Sequence, residues 1–173
     1  MYKIGELVQY GNSGVCRVEE IVTGIPGLDK NTVFYLLIPI HGNGGKIYSP
    51  VDSDKVKMRC VLSAKEVRAL LGTAGELTEL PIENEKQCEG IYKEALYSVD
   101  CGYWLRLLKT LCSRRELRSR QGKKVTATDE RYFRHVEDRL REEWSVIIGE
   151  EEASRELEQT ELLFATLNNE KDE

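Results

Sequence analysis

The chain has 173 residues, 40% of them hydrophobic, with two Trp, eight Tyr and three Phe; this suffices for one ordinary domain or two small ones and excludes wholesale disorder. No apolar run approaches the ~18 residues of a membrane span, and the start, MYKIGELVQYG, alternates instead of carrying a signal-peptide block, so a soluble cytoplasmic protein with no membrane partner is expected. The net charge of −5 is unevenly spread: residues 101–148 carry twelve basic and seven acidic groups, whereas 61–100 stand at −4 and 149–173 at −7, a polarity that points to a localised anionic partner.

The first sixty residues read as strands. Glu6–Tyr10 alternates, Gly11-Asn12-Ser13-Gly14 is a turn, and Val15–Val22 alternates again; the glycines supply the positive φ of a tight hairpin. Residues 23–31 form a polar loop. Thr32–Ile40, β-branched and aromatic, reads as the central strand. After the turn His41–Gly45 come a strand at Lys46–Tyr48 and a fifth at Lys55–Cys60. Five short strands with tight turns predict a small, strongly curved antiparallel sheet. The turn GNGGK (Gly42–Lys46) is not a phosphate loop, because Ile47 and a strand follow the lysine where Ser or Thr and a helix would be needed.

Ser63 with Glu66 three residues on is a capping box, opening a short helix over 63–71. Residues 73–83, with Thr73 and Pro81 and no helical stripe, read as a linker. From Asn84 the pattern is helical, with Asn84, Asp100 and Thr126 or Thr128 as N-caps, a break at Gly122, a stop at Gly149 and a last helix over Glu151–Leu167. The fold class is thus α+β: a curved antiparallel sheet domain over 1–72, a linker over 73–83, a compact helical bundle over 84–167, and an acidic, disordered tail over 168–173.

The five cysteines are scattered without a CxxC pair, so neither a disulfide framework nor a zinc site follows. His41 lies in a turn and His135 on a helix without a metal-type partner at helical spacing. No nucleophile, base or ligand set emerges: no enzyme, no cofactor, no metal and no small-molecule ligand are expected.

What stands out is WLRLLKTLCSRRELRSRQGKK. Trp104, Leu105, Leu107, Leu108, Leu111 and Cys112 make an apolar stripe, and after Ser113 basic residues replace it. A core cannot take a run of cations, so the segment leaves the core there. Arg114, Arg115, Arg118, Arg120, Lys123 and Lys124, flanked by Lys109 and Arg131, form a candidate DNA-backbone contact set. Nothing resembles a base-reading helix, which implies contact without strong sequence choice.

The segments YKIGELVQYGNSGVCRVEEI, FYLLIPI and GKIYSPVDSDKV carry the pattern Ile4, Gly5, Leu7, Val8, Tyr10, then Gly14 and Pro50-Val51-Asp52. They resemble the N-terminal domain of the CarD and CdnL family of bacterial transcription regulators, a domain also found in the transcription-repair coupling factor. The helical half is similar through Tyr92-Lys93, Leu108-Lys109 and the Thr126-x-x-Asp129-x-Arg131 helix start. The resemblance implies a Tudor-like domain that docks on the β subunit of bacterial RNA polymerase, and a helical domain that touches promoter DNA and modulates open-complex stability at the nucleoid. It also implies that an exposed strand edge, here Lys46, Ile47, Tyr48 and Ser49, pairs with polymerase by strand addition. The sequence departs from the family pattern in two respects: Cys88 stands where members carry a Trp wedge, and Gly24 and Tyr48 stand where some carry cations. The alternative is a protein-interaction adaptor whose basic edge pairs with an acidic tail, its own or a partner's, and never meets DNA.

Overall fold

The computed structural model describes residues 1–42 and 44–170. The chain divides into two compact units, Met1–Val61 and Leu62–Glu173. The first is an antiparallel sheet of β1 (Leu7–Tyr10), β2 (Gly14–Val22), β3 (Phe34–Pro39), β4 (Ile47–Pro50) and β5 (Met58–Cys60), in the order β4-β3-β2-β1-β5. The middle strand is therefore β2 rather than the more apolar β3, which lies one place in from the edge. Strands β1 to β4 follow one another as a meander, and β5 returns to pair with β1. Val8, Tyr10, Cys16, Val18, Tyr35 and Leu37 gather on one face as the core of the unit, the outcome that period-two alternation requires. A register shift between Val18 and Glu20 bends β2, as a bulge does. Gly11, at φ 42°, suits the β1–β2 turn: any other residue would be strained there, and its Cβ would lie 2.6 Å from Val56 Cγ1, which would have to shift.

The second unit holds α1 (Ala64–Gly72), α2 (Cys88–Tyr97), α3 (Cys101–Arg120), α4 (Ala127–Ile148) and α5 (Glu150–Glu170). The Ser63 capping box is fully formed, Asp100 accepts from the Tyr103 amide at 2.7 Å, and Thr126 accepts from the Asp129 amide at 3.0 Å. Each such cap is worth about 1 kcal/mol. Trp104, Leu107, Leu108, Val136, Leu140, Trp144, Leu157 and Phe164 are sealed in one core. Val99, at φ 50°, turns the corner between α2 and α3, a conformation uncommon for a β-branched side chain.

Three sequence expectations are corrected here. The helix over 63–71 belongs to the helical unit and not to a 1–72 sheet domain, because Val67 is buried in the bundle core, with Leu70 and Leu71 packed against it. Residues 73–83 are no free linker: Ala74 and Leu80 are buried, and the Leu80 amide donates to Thr110 Oγ1 at 2.8 Å. Of the acidic tail assigned to 168–173, residues 168–170 continue α5, and 171–173 lie outside the described residues. No helix among the described residues is long and apolar enough to cross a membrane.

Candidate polymerase and nucleic-acid interfaces

The sheet has two edges, and they differ. In an antiparallel pair only alternate residues turn their amide and carbonyl toward the partner strand. The Val51 amide donates to the Val33 carbonyl at 2.9 Å, and the register pairs Tyr35 with Ser49 and Leu37 with Ile47. Ile47 and Ser49 therefore face β3 with their backbone groups, whereas the Tyr48 amide and carbonyl point away from the sheet. Pro50 has no amide to offer, and its carbonyl accepts from Ser53 at 3.3 Å. Along the same stretch Lys46 is exposed, Ile47 half-buried, Tyr48 exposed and Ser49 buried. Lys46 itself precedes the strand, which starts at Ile47.

The β5 edge is blunted. Gly11 and Val61 bond across to Lys57 and Leu7, so by the same alternation Met58 and Cys60 face outward. The Met58 carbonyl accepts from the Tyr2 hydroxyl at 3.0 Å, and the Cys60 carbonyl from the Arg59 guanidinium at 3.0 Å. An already occupied carbonyl is a poorer acceptor for a further strand. Of the two, β4 is the edge open to strand addition.

The cations of α3 separate into two groups. Lys109 is buried, its Nζ donating to the Gly75 carbonyl at 2.8 Å and lying 5.5 Å from the Phe164 ring centroid. Arg114 is largely covered; its Nε donates to Asp129 at 3.1 Å and its terminal nitrogen to both oxygens of Glu85, at 2.8 and 2.9 Å. Asp129, 3% exposed, also accepts from the Tyr92 hydroxyl at 2.9 Å. This network ties α2, α3 and α4 together, and the Arg114 bond holds the Glu85 carboxyl below its ordinary range. Burial, followed by the bond to Asp129, pushes the Tyr92 hydroxyl far up, so it remains a proton donor. Lys109 and Arg114 are therefore removed from the DNA-contact set assigned above: one has no solvent face, and the other neutralises a buried carboxylate that would otherwise be unpaired.

The remaining cations lie farther along. Arg115 is exposed, with its guanidinium 3.8 Å from the Phe133 ring centroid. Arg118 is half-buried and donates weakly, at 3.4 Å, to the Lys124 carbonyl. Arg120 pairs with Glu116 at 3.1 Å on the helix surface, a contact worth a few tenths of a kcal/mol, about 0.3–0.5. Lys123 and Lys124 are exposed in the turn that follows Gly122, whose φ of 66° suits a helix stop without Cβ strain. Together these five form a cationic tip at the α3–α4 corner. Arg131 stands apart on α4, paired with Glu89 at 2.6 Å in an exposed contact.

Sequence reasoning missed the acids that sort these cations. Asp129 is the third residue of a capped helix, a position where an acid is ordinary, and that hides its buried role. Glu85 lies 29 residues from Arg114, beyond any helical spacing rule. Cys88 is 3% exposed and belongs to the bundle core. Among the described residues no group of three His, Cys, Asp or Glu could hold a metal ion.

Arg115 also faces α5. It lines a groove with Cys112, Glu116, Glu158, Glu161 and Leu162. Burial, then a hydrogen bond to Glu137 of α4 and its charge, push the Glu161 carboxyl up to about 7, against the opposing pull of Arg115 and Arg141. Burial likewise pushes the neighbouring Cys112 thiol up to about 12.

No curated protein matches the chain. Residues 2–62 match the family model of the CarD-like/TRCF RID domain, a non-catalytic interaction domain whose family binds the RNA polymerase β subunit. The match ends one residue past the boundary between the two units and leaves the helical unit outside it. The match to the CarD-like/TRCF RID domain thus coincides with the strand-built unit of this chain.

Proposed function

We propose that the protein is a non-enzymatic bacterial transcription regulator that holds RNA polymerase with one unit and promoter DNA with the other. The observation that carries this reading is the open β4 edge in a domain matched to a polymerase-interacting family. A strand of the β subunit adds to Ile47–Pro50, taking backbone hydrogen bonds from Tyr48, with the Tyr48 ring, 42% exposed, as a side-chain contact. The missing amide of Pro50 ends the added ladder on that side. Ile47 and Ser49 support the strand from within, and Lys46 lies at its entry.

The helical unit grips the DNA backbone with Arg115, Arg118, Arg120, Lys123 and Lys124, supported by Arg131 once it leaves Glu89. Phosphate contacts carry no base code, so the grip is largely indifferent to sequence and serves DNA that polymerase has already brought close, modulating open-complex stability. Such a protein acts in the cytoplasm, at the nucleoid. Tyr48→Pro tests the recruitment half: it deletes the outward amide without touching the pairing to β3. The full-length variant should no longer retain the polymerase β subunit in a pull-down, while a folded thermal transition persists. Undiminished retention would place the contact elsewhere.

One observation favours the adaptor reading: Arg115 shares a groove with Glu161 of α5, so part of the basic surface already meets acid within the same chain. Deleting residues 150–173 cannot decide the matter, because Ala153, Leu157 and Phe164 of α5 are core residues and the unit would unfold. Charge neutralisation in place is the valid comparison.

A further inference from the structure

Arg115 differs from the other cations of the tip in what holds it. Its guanidinium carbon lies 3.8 Å from the centroid of the Phe133 ring. At that distance the group lies over the face of the ring, because in the ring plane it would overlap the edge carbons. Phe133 is 5% exposed and packed into the core of the helical unit, so the ring is already fixed and offers its negative face to a cation without further ordering. Among the described residues Arg115 makes no ion pair or hydrogen bond, although it lines a groove with Glu116, Glu158 and Glu161. Its planar fork of N–H donors therefore stays open to an anion. Arg118 and Arg120, by contrast, each donate within the chain, to the Lys124 carbonyl and to Glu116.

We propose that Phe133 is a positioning residue for the DNA grip: its ring holds the Arg115 guanidinium in place, so that the donor fork meets a phosphate with its side chain already ordered. This rests on the DNA-contact reading above. A long side chain that is free in water loses rotamer freedom when it binds. A guanidinium held over a ring has given up part of that freedom before the phosphate arrives. Preorganisation of this kind raises affinity without adding a charge. The gain cannot exceed the contact free energy that supplies it, which for an exposed arginine on an aromatic ring corresponds to about twofold to fivefold in affinity. A lysine cannot take over the role, because an ammonium keeps the charge but has no planar fork. Sign and orientation, which a charge count merges, are thus separable at Arg115.

Phe133→Leu and Arg115→Lys test this singly and together in the full chain. Affinity for a short mixed-sequence duplex is read by fluorescence anisotropy over a series of salt concentrations. Phe133→Leu should weaken binding by about twofold to fivefold, with the slope of log affinity against log salt unchanged, because no cation is lost. Arg115→Lys should also weaken binding and keep the slope. Its cost should be about twofold to fivefold smaller in the Phe133→Leu chain than in the unmodified one, the non-additivity expected of two side chains that act as a unit. Phe133→Met fills the same space without a ring and carries the same expectation should Phe133→Leu fail to fold. An equal cost of Arg115→Lys in both backgrounds would overturn the positioning role, since a residue that only supports the fold leaves that cost unaltered. An Arg115→Lys chain that binds as tightly as the unmodified one would also overturn it, leaving a grip that works by charge alone. Absence of duplex binding by the unmodified chain even at low salt would overturn the DNA-contact reading and the positioning role with it.

Discussion

Two sets of cations lie along one basic run and do different work. Lys109 and Arg114 point into the bundle and are consumed there by the Gly75 carbonyl, Asp129 and Glu85. Arg118, Arg120, Lys123 and Lys124, beyond them in the chain, make weak or solvent-screened contacts such as those of Arg118 with Lys124 and Arg120 with Glu116. Charge count alone treats both sets as one, and burial divides them. The inner set holds the fold together, and the outer set is the one we propose for DNA.

The sharpest way to break this division is to remove Asp129. Asp129→Ala should destabilise the helical unit by about 3–5 kcal/mol, because the buried Tyr92 hydroxyl would lose its acceptor and Arg114, left with the exposed Glu85 alone, would lose its buried counter-charge. Denaturant melts read this, and a loss below about 1 kcal/mol, the range of ordinary surface pairs, would show that the inner set is not structural. Lys109→Ala comes next. It leaves the Gly75 carbonyl unpaired and empties the volume of the lysine stem, for an expected loss of about 2–3 kcal/mol; Lys109→Met, which restores the packing, should recover part of it. Neutralising Arg118, Arg120, Lys123 and Lys124 together should move stability by no more than about 0.5 kcal/mol per site while stripping DNA affinity.

The smallest effect is that of pH on stability. The folded carboxyl of Glu161 is raised above its ordinary value, so between the two values the folded chain binds more protons than the unfolded one, and stability falls as pH rises through about 7. The thermal midpoint of the helical unit should therefore decline by a few degrees between about pH 5 and pH 7. Glu161→Gln should remove that decline.

Much of the fold was legible because it depends on local rules. Alternation located β1 and β2 and β-branched and aromatic composition located β3, while Ser63, Asp100 and the pair Thr126 or Thr128, of which Thr126 is the cap, marked three helix starts by side-chain chemistry that acts over three residues. The misplaced boundary had a different origin. Residues 73–83 look like a linker by composition, and only the long-range bonds from Leu80 to Thr110 and from Lys109 to Gly75 make them part of the bundle. The interfaces were legible to the same degree. The β4 edge follows from strand order, which a family resemblance supplied, whereas the open and blunted states of the two edges depend on Tyr2 and Arg59 finding particular carbonyls. In the helical unit the basic run was visible, but the partners that withdraw Lys109 and Arg114 from it lie 15 to 34 residues away in sequence.

The salt dependence of DNA binding tests the division most directly. For the unmodified full chain, log affinity should fall linearly with log salt. Neutralising Arg118, Arg120, Lys123 and Lys124 should shrink that slope by about 3–4, at roughly 0.9 for each phosphate that no longer meets a cation, with the thermal midpoint unchanged. An identical slope in the neutralised chain would contradict the assignment of these cations to DNA.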